Sequence, residues 1–163
     1  MKIGESLYFA PEIKFSDLDL SGKNLPGQLD SRMRAYYLEP AKALAQNGHA
    51  FASGLLLVSC IDALSCLQSK PKASVRRRFC SWIKTGLPSF GSAAIAERFY
   101  CEFRNGLVHE ARIKKGGQFS LEQSCTMDKG IKIKSKGIKG SSLLLTFSDL
   151  ARYYLPHVPS PAD

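Results

Sequence analysis

The stretch "AFASGLLLVSCIDALSCL", residues 50–67, is an almost uninterrupted apolar run near the middle of the chain. It has about the minimum length that spans a bilayer. However, Asp62 lies in its second half, where a charge costs roughly 2.5–3.5 kcal/mol on membrane-insertion scales, and three serines add to that cost. The stretch therefore predicts a buried core helix over about 49–68 rather than a membrane span.

Three further helical segments are predicted around this one, each delimited by capping residues, glycines or prolines. Their extents are from Asp30 or Ser31 to Gly48, from Ser74 to Gly86, and from about 89–92 through "AAIAERFYCEFRNGLVHEARI". Pro40 must kink or restart the first of them, because proline lacks a helical N–H and clashes with the preceding turn. Four helical segments with short connections predict a mainly α protein built as an antiparallel bundle of four to five helices.

Outside these helices the chain is broken into short, partly alternating pieces. Residues 1–27 predict an extended arm, in which "EIKFSDLDL" indicates one short strand. The glycine-punctuated segments "GGQFSLEQ", "GIKIKSK" and "GSSLLLTF" predict a small β ribbon at about 116–147, and "FSDLARYYLPHV" predicts a last short helix. The expected organisation is an arm at 1–27, a single domain at 28–157 that includes the ribbon, and a tail at 158–163.

Composition restricts the compartment and the cofactors. The five cysteines are scattered and form no CxxC pair, which favours free thiols in a reducing compartment and no structural zinc. The amino-terminal "MKIGESLYFAPE" lacks the apolar run of a signal peptide. The chain shows no credible set of metal ligands. We therefore expect a cytoplasmic protein that is not inserted in a membrane and uses neither a metal ion nor a cofactor.

The charge of the chain favours an anionic partner. A formal net charge of +9 over 163 residues favours nucleic acid or an acidic protein as partner, and a solvated basic surface without a partner is the alternative. Basic groups in "VRRRF" and in "KIKSKGIK" would suit a phosphate backbone, whereas an edge strand protected by lysine explains the second without a ligand. The candidate nucleic-acid-binding side chains are Arg76, Arg77, Arg78, Arg112, Lys114 and Lys115.

The fourth helix carries two different faces when its residues are placed 100° apart. An apolar stripe is predicted to face the core and consists of Ile95, Phe99, Phe103 and Leu107. A polar stripe consists of Glu102, Asn105, His109 and Arg112. Arg104 lies about 140° from His109 on an ideal helix. The two side chains can therefore meet only through the reach of arginine, a distorted turn near Gly106, or a second subunit.

The segment "FRNGLVHE" resembles the signature of HEPN domains, small bundles of four or five helices whose late helix carries Arg, a polar residue and then His. The order of "YYLEPAKAL", the acid-bearing "LLLVSCIDAL" and the Arg-Asn…His helix is similar to that of the family, and the resemblance covers about residues 30–112. A second Arg and His pair with the same spacing, Arg152 and His157, has Tyr153 in the polar position and Pro156 beside the histidine. We interpret that copy as a coincidence.

The resemblance implies a metal-independent endoribonuclease in which the 2′-hydroxyl attacks and a cyclic phosphate remains. His109 would be the general acid/base, Arg104 would stabilise the transition state, and Asn105 would orient the histidine or the phosphate. Asp62 would lie near Arg104, and Glu102 is a second supporting candidate. By the same resemblance the protein would be a homodimer and a toxin or defence component, with a nucleotidyltransferase-type antitoxin as a potential partner.

Other interpretations remain open from the sequence. A non-catalytic HEPN-like module would bind a nucleotide, RNA or a protein through the same groove. His109, with Glu110 and Arg112, would then be the solvated end of a helix, where a cation is favourable. Arg104 would pair with Tyr100 or a nearby carboxylate, and Asp62 would be either the buried partner of Arg104 or an exposed residue at the edge of its helix.

Overall fold

The apolar stretch at 50–67 forms helix α3, Ala50–Leu67, in the computed structural model of the chain. The structure describes residues 1–69, 72–86 and 92–114, together with the backbone of two strands at 118–120 and 144–146. Among these residues α3 is the one helix long and apolar enough to cross a membrane by length and composition, and 44% of it is buried inside the protein. Its buried side packs against the helices on either side of it in the chain, α2 (Glu39–Gln46) and α4 (Val75–Gly86), as expected of a core helix.

The described part is mainly helical. Its helices are α1 Leu25–Met33, α2 Glu39–Gln46, α3 Ala50–Leu67, α4 Val75–Gly86, α5 Ala93–Phe99 and α6 Asn105–Glu110. A π-helical turn at Arg34–Leu38 joins α1 to α2, and another at Tyr100–Arg104 joins α5 to α6. The result is four continuous helical segments, which agrees with the predicted number of helices; the predicted last helix, after Ser148, lies outside the described residues.

Two prolines lie in the first helical segment, Pro26 near its start and Pro40 in its second half. The prediction that it starts at Asp30 or Ser31 is wrong: α1 starts at Leu25, with Pro26 in its first turn. A proline is tolerated there because the first N–H groups of a helix have no partner inside the helix. The predicted disturbance at Pro40 is confirmed, because the π-helical turn ends immediately before α2, which contains the proline.

The amino-terminal residues form a sheet rather than an extended arm with one strand. Strands β1 Lys2–Ile3, β2 Ser6–Ala10 and β3 Ile13–Lys14 pair antiparallel in that order. The sheet is fastened to α1 by Arg32, whose guanidinium lies 4.9 Å from the centre of the Phe9 ring and donates a hydrogen bond to the Phe9 carbonyl. Two of the three strands have only two residues each, which is too short for an alternating pattern to be recognised. The sequence therefore indicated only one strand.

Part of the predicted ribbon at 116–147 is described. Strands β4 Gln118–Ser120 and β5 Leu144–Thr146 pair in parallel, and β4 runs close to α3. A parallel pair requires a long connection and is not a hairpin. The other residues of the predicted ribbon, including "KIKSKGIK", lie outside the described residues.

The core is centred on aromatic side chains from α4 and from the last described helical segment, which consists of α5, the π-helical turn and α6 (residues 93–110). Phe79, Phe99 and Phe103 are fully buried, and the ring centres of Phe79 and Phe99 and those of Phe99 and Phe103 are each 5.5 Å apart. Leu107 is buried as well, while Ile95 is partly buried against the same cluster. The predicted apolar stripe of this helix is thus confirmed as its core face.

The chain turns back sharply at the end of α6. Ala111 has a φ of 52°, in the left-handed region, and the backbone N–H of Lys114 donates to the carbonyl of Glu102 at 2.9 Å. The returning strap, residues 111–114, passes so close to Gly106 that an added Cβ would lie 2.3 Å from the carbonyl oxygen of Arg112. A side chain at position 106 would therefore clash with a backbone atom of the strap, so the strap would have to shift.

We expect Gly106→Ala to destabilise the protein by about 1–3 kcal/mol, the usual cost of overpacking a filled site. Gly27→Ala is the matched control, because Gly27 lies in α1 with no atom within 4 Å of an added Cβ. It should stabilise the protein by about 0.5 kcal/mol through helix propensity alone. Urea unfolding of the two variants measures both effects, and a Gly106→Ala protein as stable as Gly27→Ala would refute the packing of the strap.

Candidate functional site

Arg104 is the centre of the candidate site. It is the last residue of the π-helical turn, and its guanidinium lies 5.8 Å from the centre of the Tyr100 ring. Its Nη2 donates to Oδ2 of Asp62 on α3 at 3.0 Å. The side chains of Arg104 and Asp62 are 12% and 24% exposed, so the pair is largely removed from water. Of the two interpretations of Asp62 that the sequence leaves open, the structure therefore supports the pairing with Arg104.

The other terminal nitrogen of Arg104 joins the remaining residues of the motif. Nη1 lies 3.2 Å from Oδ1 of Asn105 and 3.0 Å from Nε2 of His109. Arg104 and His109 thus meet within one chain, and the reach of the arginine side chain is sufficient to bridge them. His109 is exposed whereas Asn105 is half-buried, so the contact lies where the site opens to solvent.

Two polar atoms of this site lack partners. Neither Nε of Arg104 nor Oδ1 of Asp62 has a hydrogen-bond partner among the described residues, although both atoms are buried. Leaving a buried donor or acceptor unpaired costs about 1–3 kcal/mol. The guanidinium is thus held by Asp62 and lies over the Tyr100 ring, while its Nε–H and one N–H of Nη2 make no hydrogen bond to the described residues.

Glu102 is placed differently from the other candidates. It is buried, with only 2% of the residue exposed, and its two carboxylate oxygens accept hydrogen bonds from Nε and Nη2 of Arg98 at 2.8 and 3.3 Å. The structure shows no hydrogen bond between Glu102 and His109 or Arg104. The predicted polar stripe is interrupted because Glu102 lies within the π-helical turn, where the 100° spacing does not apply.

The candidate nucleic-acid-binding residues do not form one group. Arg76 pairs with Glu97 on α5, Arg77 is exposed, and Arg78 is half-buried with a buried Nε. Arg112 and Lys114 both pair with Glu110 at the end of α6. Lys115 lies outside the described residues.

The contacts of Glu110 have an electrostatic consequence. Hydrogen bonding from Lys114, and secondly from Arg112, lowers the pKa of Glu110 below its ordinary value. The positive charges of Arg112 and Lys114 are therefore partly compensated beside His109.

A cluster around Glu97 was not found by sequence reasoning. Its carboxylate accepts from Sγ of Cys101 at 3.2 Å and from Sγ of Cys80 at 3.7 Å, beside Arg76. Burial, followed by the charge of Glu97, raises the pKa of Cys80 to about 11, so this thiol is a poor nucleophile at neutral pH. No group of three or more His, Cys, Asp or Glu side chains within the described ranges could hold a metal ion.

Comparison of the chain with protein-family models, curated proteins and solved structures finds no match. Functional conclusions therefore depend on the contacts of Arg104 and on the sequence motif.

We expect Asp62→Ala to destabilise the protein by about 1–3 kcal/mol. Removing one partner of a fully buried pair costs about 3–5 kcal/mol, and the partial exposure of Asp62 reduces this. Urea unfolding measures the change. The matched control is Glu110→Ala, which removes an acid from the exposed ion pairs at the end of α6 and should cost less than about 1 kcal/mol. An Asp62→Ala protein with wild-type stability would show that the contact with Arg104 contributes nothing to the fold.

Proposed function

We propose that this chain is a HEPN-type, metal-independent endoribonuclease. The observation that carries the proposal is the hydrogen-bonded set of Arg104, Asn105 and His109, which Asp62 anchors from a neighbouring helix. Its residue types and their order along the chain agree with the HEPN motif. In this proposal the four described helical segments belong to an antiparallel HEPN bundle, which the segment at 148–157 completes as a fifth helix and the ribbon at about 116–147 extends.

The positions of His109, Arg104 and Asn105 suit the separate roles that the proposal gives them. His109 is exposed and can exchange a proton with a 2′-hydroxyl or a leaving 5′-oxygen, an effect worth typically about 10²–10⁴-fold. Arg104 is held against Tyr100 and Asp62, so its forked donors are oriented before a phosphate arrives. Asn105 contacts the same Nη1 as His109 and would orient the arginine relative to the phosphate.

Assembly and setting are further parts of this proposal. By resemblance the protein acts as a cytoplasmic homodimer in a toxin or defence system, with RNA as substrate and a nucleotidyltransferase-type antitoxin as partner. Val108, beside His109, is 47% exposed. An apolar side chain next to the site is what a contact between two α6 helices would cover, and such a contact would form one cleft from both copies.

One observation favours the alternative, a non-catalytic module that binds a nucleotide, RNA or a protein. Oδ2 of Asp62 lies 3.0 Å from Nη2 of Arg104, so the negative charge of the carboxylate partly compensates the positive charge of the guanidinium. A compensated arginine stabilises developing negative charge less than an isolated one does, whereas it still offers directed hydrogen bonds to a bound ligand.

We expect the purified protein in excess EDTA to cut single-stranded RNA and to leave 2′,3′-cyclic phosphate ends. DNA of the same sequence should survive, because it lacks the attacking 2′-hydroxyl. His109→Ala should slow cleavage at least about 10²-fold while RNA binding persists, since the variant lacks only the proton-transfer group. Gel analysis of end-labelled RNA measures cleavage and end chemistry.

His49→Ala is the matched control, because His49 is exposed at the start of α3 and its side chain makes no capping bond. Arg152→Ala and His157→Ala are further controls, because each removes one member of the second Arg and His pair with the same spacing. All three should cut at the wild-type rate. Wild-type protein that binds RNA without cutting it would establish the binding module instead. A His109→Ala protein that cuts as fast as wild type would reject His109 as the proton-transfer group.

We expect the protein to be a dimer at micromolar concentration in light scattering, and Val108→Asp to shift it towards the monomer by burying a charge in the contact. Leu20→Asp is the control, because Leu20 is 80% exposed in the segment before α1. A wild-type monomer would contradict both the dimer and a cleft shared by two copies.

A further inference from the structure

The contact between Arg104 and His109 determines which nitrogen of the imidazole carries the proton. Arginine has five N–H donors and no acceptor, and it stays protonated in proteins. Nη1 lies 3.0 Å from Nε2 of His109, so Nε2 must offer its lone pair. In this geometry the proton of a neutral His109 lies on Nδ1.

That arrangement keeps the proposed base occupied. The lone pair of Nε2, which would accept the proton of a 2′-hydroxyl, is already used as an acceptor for Nη1. Both hydrogens of Nη1 have acceptors, Oδ1 of Asn105 and Nε2 of His109. The free protein thus holds its arginine and its histidine against each other in a resting state.

We propose that the Arg104–His109 contact is a latch that a phosphoryl oxyanion opens. This proposal rests on the proposed function, and it adds how the same site is regulated. An oxyanion would replace Nε2 as the acceptor at Nη1, which would leave the lone pair of Nε2 available as a base. No covalent bond forms or breaks in this step: one hydrogen bond from Nη1 is exchanged for another.

The relative strengths of the hydrogen bonds favour this exchange. A guanidinium and an ionised phosphate attract each other through opposite charges as well as through the hydrogen bond, whereas Nε2 of a neutral imidazole is an uncharged acceptor. Arg104 itself would not move away, since Nη2 remains bound to Asp62 at 3.0 Å and the guanidinium remains against Tyr100. His109 is exposed and lies in the last turn of α6, so it is the partner with room to move.

The first test concerns the free protein and needs no substrate. In nitrogen-15 NMR at about pH 8, where an ordinary imidazole is neutral, His109 should be found mainly with its proton on Nδ1. Exposed His49 is the internal reference and should show the ordinary preference for a proton on Nε2. Arg104→Lys should return His109 to that preference, because lysine has no fork that reaches both Asp62 and Nε2. A wild-type His109 with its proton on Nε2 would overturn the proposal.

The second test opens the latch with two anions, inorganic phosphate and a 2′-O-methylated RNA that cannot be cut. Each should shift the Nε2 and Nδ1 resonances of His109 while those of His49 stay in place. A response to both anions indicates that any phosphoryl oxyanion is sufficient, and a response to RNA alone indicates a phosphodiester chain. The absence of a response to either overturns the latch. The outcome is independent of cleavage: a latch that opens in a protein that cuts no RNA rejects the nuclease and retains the phosphate site.

Discussion

A single carboxylate on an otherwise apolar helix constrains this molecule. Asp62 lies on α3, where a carboxylate removed from water is unfavourable unless it is paired. The pairing cation is Arg104, which must therefore point towards α3 and cannot extend freely into solvent. The orientation of the last helical segment follows, because Phe99 and Phe103 fill the core while Arg104 reaches Asp62. Packing and site geometry are thus coupled through one ion pair.

The two π-helical turns determine which side chains can meet. In each turn a backbone N–H bonds to the carbonyl five residues earlier, from Glu39 to Arg34 and from Asn105 to Tyr100. The wider turn shifts all later residues around the helix axis. The first turn is explained by Pro40, whereas the second contains no proline and ends at Arg104. A widened turn at this position places the arginine above the Tyr100 ring and begins α6 with Asn105 beside the guanidinium.

Several arginine and lysine side chains of the described residues form ion pairs with nearby acids. Arg76 and Arg98 are tied to acids of the last helical segment, and Arg112 and Lys114 share Glu110 at its end. Within the described residues, these cations hold helices and the strap in place as well as adding positive charge. The net charge of +9 therefore describes an attraction to anions without locating where they bind.

The sequence by itself determined the number of described helical segments, the apolar face of α5–α6 and the disturbance at Pro40, because apolar periodicity and the missing proline N–H act over a few residues. It also identified Asp62, Arg104, Asn105 and His109 as candidates from residue types and spacing. The contacts between them were decided by tertiary structure. The π-helical turn separates Glu102 from His109, and the position of α3 decides that Asp62 meets Arg104. The amino-terminal sheet depends likewise on packing against α1. These contacts depend on which helices and strands become neighbours in space, and the periodicity of the sequence along one element does not specify its neighbours.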